Sequence, residues 1–337
     1  MKRTLAAATL SLGLISLPGL ASGTYAEHPE AQRFADSMQE KHGFDRDAVL
    51  SALGQARYES RVIELIRPPA TTPSARSWQR YRARFLDGKR IENGIAFWQA
   101  HAAALQKAAD QYGVPPEIIV AIIGVETYYG RNTGNFETVS ALATLAFDYP
   151  PRAVLFRGEL EQLFLLAREQ VRDPLSYYGS YAGALGYPQF LPSSIRNYAV
   201  DFDGNGQIDF DNEPEDAIGS VANYLARHGW VRGEAVAVPA LVPSDANAQT
   251  LIDAGIEPAL TPETLTAAGI VAASANPPAA PATLVDLATP GAPTEYWLGY
   301  RNFYVITRYN KSSFYAMAVY ELARALRDQY ASATTER

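Results

Sequence analysis

The segment 118–125 constrains the fold more than any other part of this chain, because it is apolar on every side. Two prolines and Glu117 lead into it. Proline is pre-organised for the first turn of a helix, and the helix dipole favours an acidic side chain there. A helix without a polar face has to be buried. The sequence therefore predicts a helix at the centre of the fold, ending at Glu126.

Helical patterns dominate the rest of the chain, and apolar residues recur at helical spacing over 95–108. Further helices are predicted over 160–172, 216–228 and 312–330, with Gly229 as a stop signal. Short strands among Pro-rich turns are predicted at 234–238, 282–287 and 296–307. These patterns indicate a mainly α (α+β) fold, in which a small, partly β domain is inserted into a helical body.

Shifts in composition divide the chain into segments. The predicted segments are a signal peptide at 1–26, an N-terminal helical region at 27–113, a core at 114–230, a partly β insertion at 231–295 and a C-terminal return to the core at 296–330.

The N-terminus has the pattern of a secretory signal. Lys2 and Arg3 precede a short apolar stretch at 5–17, and small residues allow cleavage after Ala21 or Ala26. The stretch is short for a membrane span, so we expect a mature protein without one, although an uncleaved anchor is the alternative. Since the chain has no cysteine, a lipid-modified cysteine is excluded. A periplasmic location follows as the expectation.

Composition excludes several classes of function. Without cysteine there is no disulfide framework, thiol nucleophile or cysteine zinc site. The four histidines are scattered without the spacing of zinc ligands. A net charge of −7 argues against nucleic acid as a partner. The 20 tyrosines suit a carbohydrate groove, because each offers a stacking face and a hydroxyl, although many can also simply pack at helix edges.

Glu126 is the candidate catalytic residue. Cleavage of a glycosidic bond requires a proton donor for the leaving oxygen, and an apolar environment raises the pKa of a carboxyl group so that it can donate near neutral pH. The end of an apolar helix is such an environment. The alternative is an ordinary salt-bridged or solvated acid.

Three ordered motifs carry a resemblance to a known family. The segment 124–130 reads GVETYYG, the segment 180–194 reads SYAGALGYPQFLPSS, and 306–310 reads ITRYN. They resemble the motifs of the membrane-bound lytic murein transglycosylase B family, with Leu185 where that family usually has methionine. The resemblance covers about residues 40–330 and implies a lysozyme-like core.

The resemblance also implies a mechanism and a set of site residues. The glutamate matching Glu126 protonates the bond between N-acetylmuramic acid and N-acetylglucosamine, then accepts the proton of the muramoyl C6 hydroxyl, which leaves a 1,6-anhydromuramoyl end. By the same resemblance, substrate binding is expected from Tyr81, Arg152, Ser180, Gln189, Phe190, Tyr224, Tyr309, Asn310 and Tyr315.

An acidic loop follows the register of an EF-hand. Its predicted calcium ligands are Asp201, Asp203, Asn205, Gln207, Asp209 and Asp216. Position twelve is Asn212 instead of the usual bidentate glutamate, and the resemblance assigns the completing role to Asp216, which alternatively caps its helix. A calcium ion here is expected to be structural, with an acidic turn without metal as the alternative. No organic cofactor is expected.

The predicted function is that of a peptidoglycan lytic transglycosylase. One alternative is a hydrolytic muramidase, with Asp148 as the candidate second carboxylate. Another is a non-catalytic cell-wall binding or scaffold protein, which would have no need of a buried acid. The expected partner is the glycan strand, and proteins that remodel the cell wall are further candidates.

Overall fold

A computed structural model describes residues 24–68, 76–244 and 247–335. The helices of this part are α1 Pro29–His42, α2 Arg46–Gln55, α3 Ser60–Ile66, α4 Trp78–Arg82, α5 Gly88–Ala100, α6 Ala102–Tyr112, α7 Pro116–Thr127, α8 Thr138–Phe147, α9 Ala153–Glu169, α10 Pro192–Tyr198, α11 Pro214–Arg227, α12 Ala248–Asp253, α13 Pro262–Ala267, α14 Arg301–Ile306 and α15 Ser313–Thr335. The strands are β1 Phe136–Glu137, β2 Tyr178–Gly179, β3 Ala237–Leu241, β4 Val271–Ala272, β5 Thr283–Leu287 and β6 Glu295–Gly299.

The apolar segment forms the central helix α7, as predicted. Every residue from Ile118 to Gly124 is buried. Helices α5, α6, α11 and α15 pack around α7 and complete its burial. The helix begins at Pro116 and ends in a left-handed residue, Tyr128, so Glu126 lies in its last turn. A buried, well-packed helix is a rigid support for a functional side chain.

Strands β3, β4 and β5 of the predicted insertion form one antiparallel sheet with β6, which lies almost entirely beyond the predicted end at 295, in the order β4-β3-β6-β5. A small apolar cluster of its own, which includes Leu260, Leu284 and Leu298, lies beside this sheet. Strand β5 agrees with the prediction for 282–287, whereas β3 begins at Ala237 and not at 234.

The predicted strand at 296–307 is wrong in its second half. Strand β6 ends at Gly299, and Arg301–Ile306 is the helix α14. The amide side chain of Asn302 explains the change, because it accepts from Val231 N (2.8 Å) and donates to the carbonyls of Val231 and Glu234 (2.9 Å each). These bonds pull the chain out of the sheet direction at that point.

Helix α9 begins and ends earlier than the predicted 160–172. It ends at Glu169, and Val171 then adopts a positive φ of 51°. Arg172 N bonds back to Ala167 O (2.9 Å), which closes the helix C-terminus. In contrast, α11 is followed by Gly229 in the predicted stop position, with φ 92°.

The predicted signal segment lies outside the described residues up to position 23, but its last residues are described. Tyr25 is 3% exposed, and its hydroxyl donates to Asp148 Oδ2 (2.6 Å) and lies 3.1 Å from Thr144 Oγ1. Tyr25 is therefore packed into the folded structure, and cleavage of a signal peptide stays a prediction. Within the described residues, no helix has the length and apolar character that a membrane crossing requires.

Candidate active site

Glu126 lies half-buried in the last turn of α7. Its Oε1 accepts a hydrogen bond from the hydroxyl of Tyr315, in the first turn of α15, at 2.5 Å. Burial raises the pKa of Glu126 from 4.5 to about 7, and the Tyr315 hydrogen bond opposes this only in part. Loss of hydration disfavours the charged carboxylate. The carboxyl group can therefore carry a proton near neutral pH and also release one.

Three tyrosines from two distant parts of the chain surround this carboxyl group. Tyr315, Tyr309 and Tyr81 all have a raised pKa, mainly because of burial, and the charge of Glu126 adds to it. In the described structure the buried hydroxyl of Tyr309 has no hydrogen-bond partner. A buried hydroxyl without a partner is costly, and a bound polar ligand would satisfy it.

Tyr309 also belongs to a cluster of aromatic rings. The ring centroid of Tyr309 lies 4.8 Å from that of Tyr224 and 5.8 Å from that of Phe190. Tyr224 and Phe190 are 5.3 Å apart, and the Tyr224 hydroxyl donates to Arg308 O (2.7 Å). The structure thus brings these predicted binding residues into one cluster beside the acid.

Gln189 and Ser180 lie in the loop between β2 and α10, and both are held by local hydrogen bonds. The Gln189 amide donates to Thr133 O and Gly186 O (3.0 Å each), which ties this loop to the segment after α7. Gln189 has a positive φ of 49°, a strained value of the kind often found at functional sites. The Ser180 hydroxyl accepts from Ala184 N (3.0 Å) and so stabilises its own turn.

Two predicted binding residues are exposed and lie apart from these contacts. Arg152 stacks over Phe156, with its guanidinium carbon 5.0 Å from the ring centroid. Asn310 directly follows Tyr309 and presents its side chain to solvent. Neither contacts Glu126 in the described structure, so a role for them requires a substrate that extends to them.

The acidic loop brings three predicted ligands together. Carboxylate oxygens of Asp201, Asp203 and Asp216 lie within 4.8 Å of one another. Asp216 is fully buried and accepts from Phe202 N (2.7 Å) and Asp209 N (3.0 Å). It therefore faces the loop and does not cap α11, whose N-cap position is occupied by Glu213.

The other predicted ligands of this loop serve its backbone. Asn205 Oδ1 accepts from Gln207 N (2.8 Å), and the Asn205 amide donates to Asp203 Oδ2 (3.0 Å). Asp209 accepts from the backbone amides of Asp211 (2.8 Å) and Asn212 (3.1 Å), and it is not among the three grouped carboxylates. The Gln207 side chain is exposed, which is consistent with an EF-hand residue that would ligate through its backbone carbonyl.

Comparison with known proteins identifies the family. Residues 26–324 match the transglycosylase SLT domain. The chain belongs to this transglycosylase family. This transglycosylase is 46% identical over 312 residues to the membrane-bound lytic murein transglycosylase B of Escherichia coli strain K12, across 90% of this chain and 84% of the relative.

Solved structures show the same architecture. The catenated lytic transglycosylase SltB1 of Pseudomonas aeruginosa matches with a TM-score of 0.85 and 44% identity, covering 91% of this chain and 99% of that one. The E. coli lytic transglycosylase Slt35, solved in complex with calcium, matches with a TM-score of 0.82 and 45% identity, covering 92% and 96%. The predictions of a lytic transglycosylase and of a mainly helical, lysozyme-like fold are confirmed.

The sequence analysis missed two residues of this lytic transglycosylase, Glu213 at the acidic loop and Arg90 beside the helix that carries Glu126. Glu213 directly follows position twelve of the loop, and its Oε2 is buried without a partner in the described structure. Counting the EF-hand register to Asn212 stopped one residue short of it. Arg90 donates to Gly124 O beneath Glu126, and no sequence pattern marks this contact.

Proposed function

We propose that Glu126 is the single acid and base of this lytic transglycosylase. The protonated carboxyl group donates its proton to the glycosidic oxygen between N-acetylmuramic acid and N-acetylglucosamine, and the bond from that oxygen to the muramoyl C1 breaks. The C6 hydroxyl of the same muramoyl residue then bonds to C1, and its proton passes to the Glu126 carboxylate. A 1,6-anhydromuramoyl end forms, and Glu126 regains its starting state without consuming water.

The observation that carries this proposal is the desolvated carboxyl group with a pKa of about 7. A general acid works best when its pKa lies near the working pH, because it must both hold and transfer a proton. A second carboxylate would be needed for ordinary hydrolysis with water as the nucleophile. Among the described residues, no second carboxylate contributes to the pKa shift of Glu126, whose causes are its burial and the hydrogen bond from Tyr315.

Asp148, the candidate for that second carboxylate, is committed elsewhere. It lies at the C-terminal end of α8, where Oδ2 accepts from Tyr25 and Oδ1 lies 3.8 Å from His28 Nε2. These contacts anchor the N-terminal segment to the fold. The geometry therefore favours an internal nucleophile of the sugar over a muramidase mechanism.

The aromatic cluster supports binding of the glycan. Phe190, Tyr224 and Tyr309 offer ring faces for sugar rings, and the unpartnered Tyr309 hydroxyl can bond to a sugar hydroxyl or acetamido group. Tyr81 and Tyr315 would line the cleft beside the acid. The remaining predicted binding residues, Arg152, Ser180, Gln189 and Asn310, would contact more distant parts of the glycan or its peptide.

Calcium is the ion that the acidic loop fits best. Hard oxygen ligands on alternate residues suit Ca²⁺, and three clustered carboxylates repel each other unless a cation lies between them. The unpartnered Glu213 Oε2 supplies a further oxygen, and the related Slt35 was solved with calcium. The ion would hold the loop between α10 and α11, and it would take no part in the chemistry.

Peptidoglycan in the periplasm is the proposed substrate and place of action. The E. coli relative is named as a murein enzyme, and the N-terminal sequence has the pattern of a secretory signal. The cell wall lies outside the cytoplasm, so an enzyme that cleaves it has to be exported. Cell-wall remodelling proteins remain candidate partners.

The substitution Glu126→Gln tests the proposed role of the acid. Glutamine keeps the shape of the side chain but cannot donate a carboxyl proton, so release of soluble fragments from purified peptidoglycan should fall at least about 1,000-fold. Pelleting with insoluble peptidoglycan should be unchanged. Glu117→Gln, on the first turn of the same helix, is the matched control and should retain turnover. Turnover by the Glu126 variant would assign the acid elsewhere.

A further inference from the structure

The backbone directly after Glu126 is strained. Tyr128 (φ 54°), Tyr129 (φ 61°) and Gly130 (φ 82°) are three consecutive residues with positive φ. For a residue with a side chain, this conformation is disfavoured, and it persists only when surrounding contacts enforce it. The last turn of α7, which carries Glu126, is thus followed by a backbone conformation that surrounding contacts have to enforce.

Arg90, on α5, supports this turn from below. Its guanidinium group donates to Gly124 O and to Arg84 O (3.2 Å), and its central carbon lies 4.5 Å from the ring centroid of Tyr128. Gly124 O also accepts a hydrogen bond from Tyr128 N (3.1 Å). The same carbonyl oxygen therefore accepts hydrogen bonds from the backbone of the turn and from the guanidinium group. A cation at the C-terminal end of a helix is favourable, because that end carries a partial negative charge.

Two more residues on the same face of α5 contact the turn. Asn93 Nδ2 donates to the Tyr128 hydroxyl (2.9 Å). Gly94 provides a notch for Tyr129, because a Cβ atom there would lie 2.4 Å from the Tyr129 hydroxyl oxygen. Gly124 completes the notch, with a Cβ position 2.7 Å from the same ring. The spacing of 90, 93 and 94 places all three residues on one side of the helix.

We propose that this face of α5, formed by Arg90, Asn93 and Gly94, positions Glu126 for proton transfer by enforcing the strained turn after it. The proposal rests on the role of Glu126 as the acid. Arg90 also bonds to Arg84 O, next to Phe85, whose ring packs against Tyr81 (5.2 Å between centroids). The same guanidinium group therefore fixes the position of Glu126 relative to the ring of Tyr81. These are positioning residues, because none of them reaches the carboxyl group.

Loss of this support has a specific consequence for the acid. The groups that face Glu126 are Tyr315, Tyr309 and Tyr81, and desolvation among them keeps the proton on the carboxyl group. A relaxed turn lets Glu126 move and become hydrated. Hydration favours the carboxylate and so lowers the pKa of Glu126. The activity that depends on the protonated carboxyl group should therefore be lost at a lower pH.

The experiment measures kcat, KM and the pH profile for Arg90→Ala, Arg90→Lys and Asn93→Ala on a soluble glycan substrate, with thermal melts for each. We expect kcat to fall about 10- to 100-fold for Arg90→Ala, with KM changed less than threefold and the alkaline limb moved to lower pH. Arg90→Lys should recover part of kcat, because lysine can make one of the two carbonyl bonds. Asn93→Ala tests the turn in a variant that we expect to fold well. The alkaline limb of its pH profile should also move to lower pH.

Lys89→Ala is the matched control, because Lys89 lies on the same helix and, in the described structure, forms its ion pair with the exposed Glu92. It should leave kcat and the profile unchanged. The positioning role is overturned if both Asn93→Ala and the Arg90 variants keep the alkaline limb of the wild-type pH profile. It is also overturned if kcat falls only in proportion to the fraction of unfolded protein. Failure of the acid assignment is distinguishable, since it would appear as turnover by Glu126→Gln.

Discussion

At the scale of single residues, the proposed mechanism depends on one proton, that of the Glu126 carboxyl group. The pKa of Glu126 is raised to about 7 because its charged form is poorly hydrated, and Tyr315 holds the carboxyl group by a hydrogen bond. The proton donor is available below this pKa and is lost as the pH rises through it. We therefore expect kcat/KM to decline above about pH 7, and pH-dependent release of soluble muropeptides measures this. A flat profile to pH 9 would contradict the raised pKa.

The same shift links Glu126 to stability. The folded carboxyl group binds its proton more tightly than the unfolded one, whose pKa is near 4.5, so the free energy of unfolding falls as pH rises between about 4.5 and about 7. Glutamine stays neutral throughout this range. Glu126→Gln should therefore stabilise the protein above pH 7, by at most about 3 kcal/mol, and have little effect near pH 4. Denaturant unfolding at both pH values measures the difference, and equal stabilisation at both would point to packing instead.

Single residues were predictable from sequence where local pattern or family resemblance marked them. Glu126 ends an apolar run, Tyr309 lies within a family motif, and Tyr315 follows shortly after it. Arg90 was not predictable, because its partner Gly124 lies 34 positions away and is reached through a backbone carbonyl. Every residue has a backbone carbonyl, so the residue type at position 124 does not indicate that it accepts this hydrogen bond.

At the scale of elements, the acidic loop has the clearest test. Calcium that binds only the folded loop stabilises the protein by mass action, by about 2.7 kcal/mol at a concentration 100 times its dissociation constant. We expect Tm to rise with added calcium and to fall with chelator, in a thermal melt. Glu213→Gln should weaken this response, whereas Asn212→Ala, one position earlier, should preserve it. An unchanged melt with calcium and with chelator would reject the site.

The C-terminal end of α9 offers a second test at this scale. Val171 is 95% exposed and has φ 51°, in the region where a β-branched residue is strained. Val171→Gly relieves the strain, although glycine adds entropy to the unfolded chain, and we expect a net gain of about 1 kcal/mol in the free energy of unfolding. Val154→Gly, at an exposed site inside the same helix, should instead lower it by about 0.5–1 kcal/mol. Equal effects at both sites would contradict this reading.

Elements were predicted well where one signal acts alone. The apolar run of α7, Pro116 at its start and Gly229 after α11 each correspond to a boundary in the structure. The strand predicted over 296–307 failed because the aromatic and branched residues there fit a strand and a buried helix equally well. The side chain of Asn302, bonded to backbone about 70 positions earlier, decides between them.

At the scale of the whole molecule, the cleft is assembled from distant parts of the chain. Tyr81 comes from the N-terminal region, Glu126 from the central helix, and Tyr309 and Tyr315 from the C-terminal return. The insertion is tied to this assembly, since Arg76, just before α4, makes two hydrogen bonds to the carboxylate of Asp286 (2.9 and 3.1 Å). This contact joins the predicted N-terminal region to the predicted insertion. The segment boundaries that were drawn from composition stay a prediction.

The most direct test of the central claim is the chemistry of the new glycan ends. Purified peptidoglycan is digested with the mature protein, and the released muropeptides are analysed by mass spectrometry. A single acid and base with an internal nucleophile predicts 1,6-anhydromuramoyl ends, each lighter by one water than the hydrolytic product. Reducing muramoyl ends would contradict the account, because water would then be the nucleophile and a second catalytic group would have to exist.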